Sequence, residues 1–133
     1  LHGYRINKDI GLVVVKYIGE TATKEISEML AAIGQDPDYS RSFNLFSDLR
    51  QLTSTYSYEE LQAVVAKLPE PGELAGKTKS AIVVAKNVTY GVARIWASIT
   101  EDRTVANAQV FWSPEAALEW LGLPPDAEIE FPF

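Results

Sequence analysis

A chain of 133 residues, 47% hydrophobic and 23% charged, has the composition of one soluble domain able to bury roughly 65–70% of its unfolded surface. Its net charge of −6 repels nucleic-acid backbones and anionic membrane surfaces alike, so neither is an expected partner. With no cysteine and a single histidine, His2, it has no disulfide, thiolate metal site, cysteine nucleophile, histidine triad or multi-histidine metal centre.

The missing cysteines suit a reducing compartment, and the first residues carry no basic segment leading into an apolar run, so a cytoplasmic location is the expectation. No apolar stretch approaches the ~20 residues of a membrane-spanning helix. YRINKDIGLVVVKYIGE predicts a hairpin turning near Asp9-Ile10-Gly11. From Thr23, the spacing of Ile26, Met29, Leu30 and Ile33 predicts a helix that Gly34 and Pro37 stop. FNLFSDL is a strand apolar on both faces up to Asp48, followed by a loop of hydroxyls and a helix carrying Leu61, Val64, Val65 and Leu68, closed by Pro69, Pro71 and Gly72. SAIVVA is short and rich in β-branched residues, as a strand covered on both faces requires.

Val88 to Asp102 is helical by period, with Val88, Val92, Ile95 and Ile99 on one face and Tyr90, Arg94 and Glu101 on another. AQVFW is the last strand, and Ser113-Pro114-Glu115 supplies a cap and a first-turn proline for a helix ending at Gly122. The order ββαβαβαβα predicts an α/β domain over residues 1–122, with a mostly parallel five-stranded sheet, an antiparallel N-terminal edge hairpin and about four helices. Residues 123–133 form an acidic, proline-rich tail, either frayed or docked through Phe131 and Phe133. In such sheets a site lies beyond the carboxyl ends of the strands.

Five stretches, in order, carry a resemblance: YRINKDIGLVVVKYIGE, Asp48-Leu49-Arg50, AIVVA, YGVARIWASITED and FWSPEAALEWLG. From Tyr4 to Gly122 the chain resembles the SpoIIAA-like (STAS-like) family of small bacterial proteins. The resemblance implies a SpoIIAA-like fold and, for the better understood members, a switch in which a partner kinase phosphorylates a serine at the start of the second helix. The aspartate-serine-serine-glycine motif of those members aligns with Tyr56, Ser57, Tyr58 and Glu59, where only Ser57 matches. Ser57 is therefore the phosphoacceptor the resemblance offers. The residues themselves favour a plainer role, because Ser57 and Glu60 have the spacing of a capping box.

Asp48, Arg50, Thr53, Lys86, Asn87, Tyr90 and Arg94 are expected to converge on the carboxyl edge of the sheet. As a polar pocket they suit a carboxylate or phosphate head held by Arg50 and Arg94 against Tyr90. The alternative, favoured on the residues alone, is that Asp48 pairs with one arginine and fixes the sheet edge. Nucleophile elbow, phosphate-binding glycine loop and metal-ligand spacing are all absent, and LAGKT precedes a strand where a phosphate loop must precede a helix. Neither enzymatic activity, cofactor nor metal is expected. Trp96, Trp112, Trp120 and Phe111 supply core, and what stays exposed, with Tyr56, Tyr58 and the Phe131-Pro132-Phe133 end, forms a surface for a homodimer. The function expected is a non-catalytic STAS-like regulatory or protein-interaction module with a protein partner. Its rival is a binder of a small anionic or amphipathic, lipid-like ligand at the carboxyl edge.

Overall fold

Five strands lie in sequential order in one mixed sheet in the computed structural model, which describes residues 1–70, 72–74, 76–103 and 105–133. Pro71, one of the stops read in the sequence, and Ala75 of LAGKT lie outside the described residues. Strands β1 (His2–Asn7) and β2 (Leu12–Gly19) pair antiparallel, with Arg5 opposite Val14. A 3-10 turn over Lys8–Ile10 joins them, and Gly11 closes it at φ 62°, a left-handed conformation that glycine adopts without a Cβ clash. Strands β3 (Asn44–Leu52), β4 (Lys79–Val83) and β5 (Asn107–Phe111) then add in parallel.

Between successive parallel strands run α1 (Thr23–Gln35), α2 (Tyr58–Ala66) and α3 (Asn87–Asp102), while α4 (Pro114–Trp120) follows β5. Alternation along β2 explains its unbroken apolar run. Val13, Val15 and Tyr17 face Ile26, Met29 and Ile33 of α1 with Val64 of α2, whereas Leu12 and Val14 join Phe46, Ala81 and Val83 against Ala117 and Leu118 of α4. A strand covered on both sides has no face left for polar residues. The α/β architecture thus matches the pattern in the sequence.

Two elements differ from the sequence expectation. Strand β3 continues through Leu52, because its register with β2 slips by one residue between Lys16 opposite Asp48 and Ile18 opposite Gln51, a bulge that keeps the pair together. Asp48 and Arg50 are therefore inside the strand. Helix α3 buries Thr89, Val92, Ala93, Ala97, Ile99 and Thr100, but Val88, beside Thr89 in the first turn, is 58% exposed. The tail is docked. Phe131 meets Phe46 edge to face at 6.0 Å, the Asn7 amide exchanges bonds of 3.1 and 2.7 Å with the Glu130 backbone, and the Lys16 ammonium lies 5.5 Å from the rings of both Phe131 and Phe133.

Candidate ligand-binding site

At the carboxyl edge the structure brings Asp48 and Arg50 onto each other. Asp48 is only 3% exposed, and the Arg50 fork donates from Nε to Oδ1 at 3.0 Å and from Nη2 to Oδ2 at 2.9 Å, with the Arg50 backbone N–H adding a 3.1 Å bond to Oδ1. The hydrogen bond to Asp48 holds the guanidinium above its ordinary pKa, against desolvation, and the charges of Asp48 and Glu115 add to the rise. Arg50 also lines a cavity of about 680 Å³ between α4 and the tail, in the company of Glu115, Glu128 and Glu130. Three carboxylates around one paired arginine oppose an anionic ligand there.

The other residues of the sequence reading lie along the same rim, outside the cavity that Arg50 lines. Thr53 is exposed just past β3, where its N–H donates to the Gly19 carbonyl at 2.9 Å. Ser57 caps α2: its Oγ accepts from the Glu60 N–H at 3.1 Å, and Glu60 Oε1 accepts from the Ser57 N–H at 3.0 Å. Lys86 and Asn87, exposed, are the N-cap and first residue of α3. Tyr90 stacks on Trp112 at 5.1 Å and 12°, and Arg94 is exposed one turn further along.

The opposite edge of the sheet holds what the sequence reading missed. Strand register aligns Val13, Leu45, Ser80 and Ala108 in one row across β2 to β5 near the amino ends of the parallel strands. Ser80 is small, and Ala31 and Gly34 of α1, which line the same gap, are small as well, so the layers do not close. A cavity of about 530 Å³ remains, walled by Leu30, Val64, Leu68 and Trp96 and floored by Val13, Leu45 and Ser80 of that row. Ser80 is 5% exposed, and its Oγ has no hydrogen-bond partner; the Oγ of Ser27, which also lines the cavity, has none either. By contrast Thr100, another lining hydroxyl, donates to the carbonyls of Trp96 and Ala97 in its own helix.

The mouth is framed by two connections. Arg41, between α1 and β3, donates from Nη2 to the Glu70 carbonyl between α2 and β4, and Lys67 occupies the C-cap of α2. Burial raises the Tyr39 phenol above its ordinary pKa, with the Arg41 charge pulling the other way. Leu30, Leu45 and Trp96 also line a second, apolar void of about 70 Å³ further in, beside Tyr17, whose phenol is pushed well up by burial and then by neighbouring Tyr56. The two voids share lining from these apolar side chains, and the larger can accept one chain-like apolar group. The only signal in the sequence was Ser80, a hydroxyl on the face of β4 that alternation turns toward the helices.

Fold and site together define an α/β protein of SpoIIAA-like fold with an apolar cavity beneath its helical layer. The chain is similar in structure to an uncharacterized protein of the DUF3478 family with a SpoIIAA-like fold from Shewanella loihica PV-4, with a TM-score of 0.57 and 15% identity over 91% of this chain and 95% of that one. At that identity the likeness establishes the fold. Neither a protein-family model nor a curated protein matches the chain. Among the described residues, no helix is long and apolar enough to cross a membrane.

Proposed function

We propose that this SpoIIAA-like chain is a non-catalytic binding module that holds a small amphipathic molecule in the cavity at the amino edge of its sheet. The observation that carries the reading is the cavity itself: about 530 Å³ lies within the roughly 300–1,000 Å³ usual for small-molecule sites, and its apolar walls hold two unpartnered hydroxyls. A polar group buried without a partner costs about 1–3 kcal/mol, which a bound polar group recovers. A non-catalytic role is supported by the lining chemistry. No carboxylate or imidazole stands among the described lining residues to activate either serine.

The reading as a regulatory or interaction module has its own support at the carboxyl rim, where Trp112, 52% exposed, stacks on Tyr90 near the exposed Val88. Such a patch suits a protein partner, a second copy of this chain included. The cavity is the better supported of the two, because its polar atoms lack partners and those of the rim do not require any.

Calorimetric titration with single-chain amphiphiles tests the reading. Saturable one-to-one binding is expected, tightening about fourfold with each added methylene and lost in Ala31→Trp, which places an indole across the mouth from an exposed helical position. Failure of every amphiphile to bind the parent protein, whatever its head, rejects it.

A further inference from the structure

The charge around the cavity runs against that of the molecule. The chain carries a net −6, yet the charged side chains among the described lining residues are Arg41, Lys67 and Lys79, with no Asp or Glu. Lys79 turns its ammonium to the other face, where it donates to the Trp120 carbonyl at 2.9 Å and sits 5.2 Å from the Trp120 ring. Arg41 and Lys67 remain at the mouth. The bond of Arg41 to the Glu70 carbonyl uses one nitrogen of a planar fork that carries five N–H donors, so the guanidinium can take a second, bidentate acceptor. Below them Ser80, nine-tenths buried at the amino end of β4, offers a hydroxyl with no partner of its own.

Helices α1, α2 and α3 direct their C-terminal ends toward this edge, as Gln35, Lys67 and Thr100 in the lining show. The negative ends of their dipoles oppose an anion, each with about half a charge that fades within a turn. Two full positive charges at the mouth exceed that opposition. From this we infer that the occupant is a single-chain amphiphile with a carboxylate head. The head lies between Arg41 and Lys67 and accepts from Ser80 Oγ, and the chain passes Leu45, Leu30 and Trp96 toward the inner void. This assignment rests on the cavity being a binding site, as proposed above, and adds the sign of the head and the residues that read it.

Decanoate, decan-1-ol and decyltrimethylammonium share one chain length and differ in charge, so calorimetric titration with the three separates the head from the cavity. The full chain is expected to bind decanoate about tenfold more tightly than the other two, with an affinity that falls as salt rises. Arg41→Gln with Lys67→Gln, both exposed positions, abolishes that preference, so that the variant binds decanoate no more tightly than decan-1-ol. Ser80→Ala weakens decanoate several-fold, while the unliganded protein melts no earlier than the parent, because the substitution removes an unpartnered hydroxyl rather than a bond. Equal binding of all three probes, or a decanoate preference that survives the double substitution, overturns the carboxylate assignment and leaves the cavity reading standing. Binding of none overturns both. Vesicles of phosphatidylglycerol distinguish a free amphiphile from a lipid surface: association with the vesicles but no uptake of monomeric decanoate also overturns the assignment.

Discussion

Asp48 illustrates how one side chain can look functional in sequence and be committed in structure. Its carboxylate is almost wholly removed from water, and three donors of Arg50 hold it, two from the guanidinium and one from the backbone. Removing Arg50 strands that carboxylate, whereas removing the carboxylate leaves a guanidinium that water already reaches, with 39% of its side chain exposed. Stability should therefore respond unequally to the two changes. Arg50→Ala is expected to cost about 1–2 kcal/mol in urea unfolding, below the roughly 3–5 kcal/mol of a fully buried pair because solvent screens one partner. Arg50→Lys should recover part of the loss, since an ammonium cannot make the paired bonds of a planar fork. An Arg50→Ala protein as stable as the parent removes the pair from any account of this edge.

Helix α2 shows which signals sequence carries well. Ser57 and Glu60, three apart before an apolar run, announce a capping box, and both of its bonds are present. Ser57→Ala is expected to lower stability by about 1 kcal/mol and Ser57→Asp by only a few tenths, because aspartate accepts the same N–H bond; thermal unfolding of the two variants checks the ranking. The hairpin around Gly11, the buried stripe of α1 and the Ser113 cap of α4 were legible for the same reason, since each depends on residues within a turn or two of one another. The extension of β3 to Leu52 was not. It depends on a bulge between two strands whose partners are more than thirty positions apart, and no local period records a register slip. The cavity was equally hidden, because alternation reveals that Ser80 faces the helices but not that Ala31 and Gly34, from a distant segment, line an unfilled space with it.

At the scale of the molecule the sheet separates two layers with different jobs. On one side α1, α2 and α3 span a gap with apolar walls and no carboxylate among the described lining residues; on the other, α4 and the tail pack on Leu12, Val14 and Phe46, and the cavity left there, about 680 Å³, is lined by Glu115, Glu128 and Glu130 beside Phe46 and Phe131. The rings of Phe131 and Phe133, the Asn7 amide and the Lys16 ammonium fasten the last residues across β1 to β3, and Gly3 lets the chain end approach, since a Cβ there would stand 3.3 Å from both Pro132 and Phe133. If the layer of α4 and the tail sets stability and that of α1 to α3 sets binding, a substitution in the first should move one property and not the other. Phe131→Ala is the sharpest such change: loss of a half-buried ring against Phe46 is expected to cost about 2 kcal/mol, at the low end for a phenylalanine truncation, and to lower the melting temperature by about 5–10 °C. Below that transition, calorimetric titration of decanoate should return the parent affinity, because Val13, Leu45 and Ser80 alternate with the residues Phe131 covers and point the other way. A Phe131→Ala protein that stays folded but no longer binds would place the site on the tail side of the sheet, and the division of labour between the layers would have to be given up.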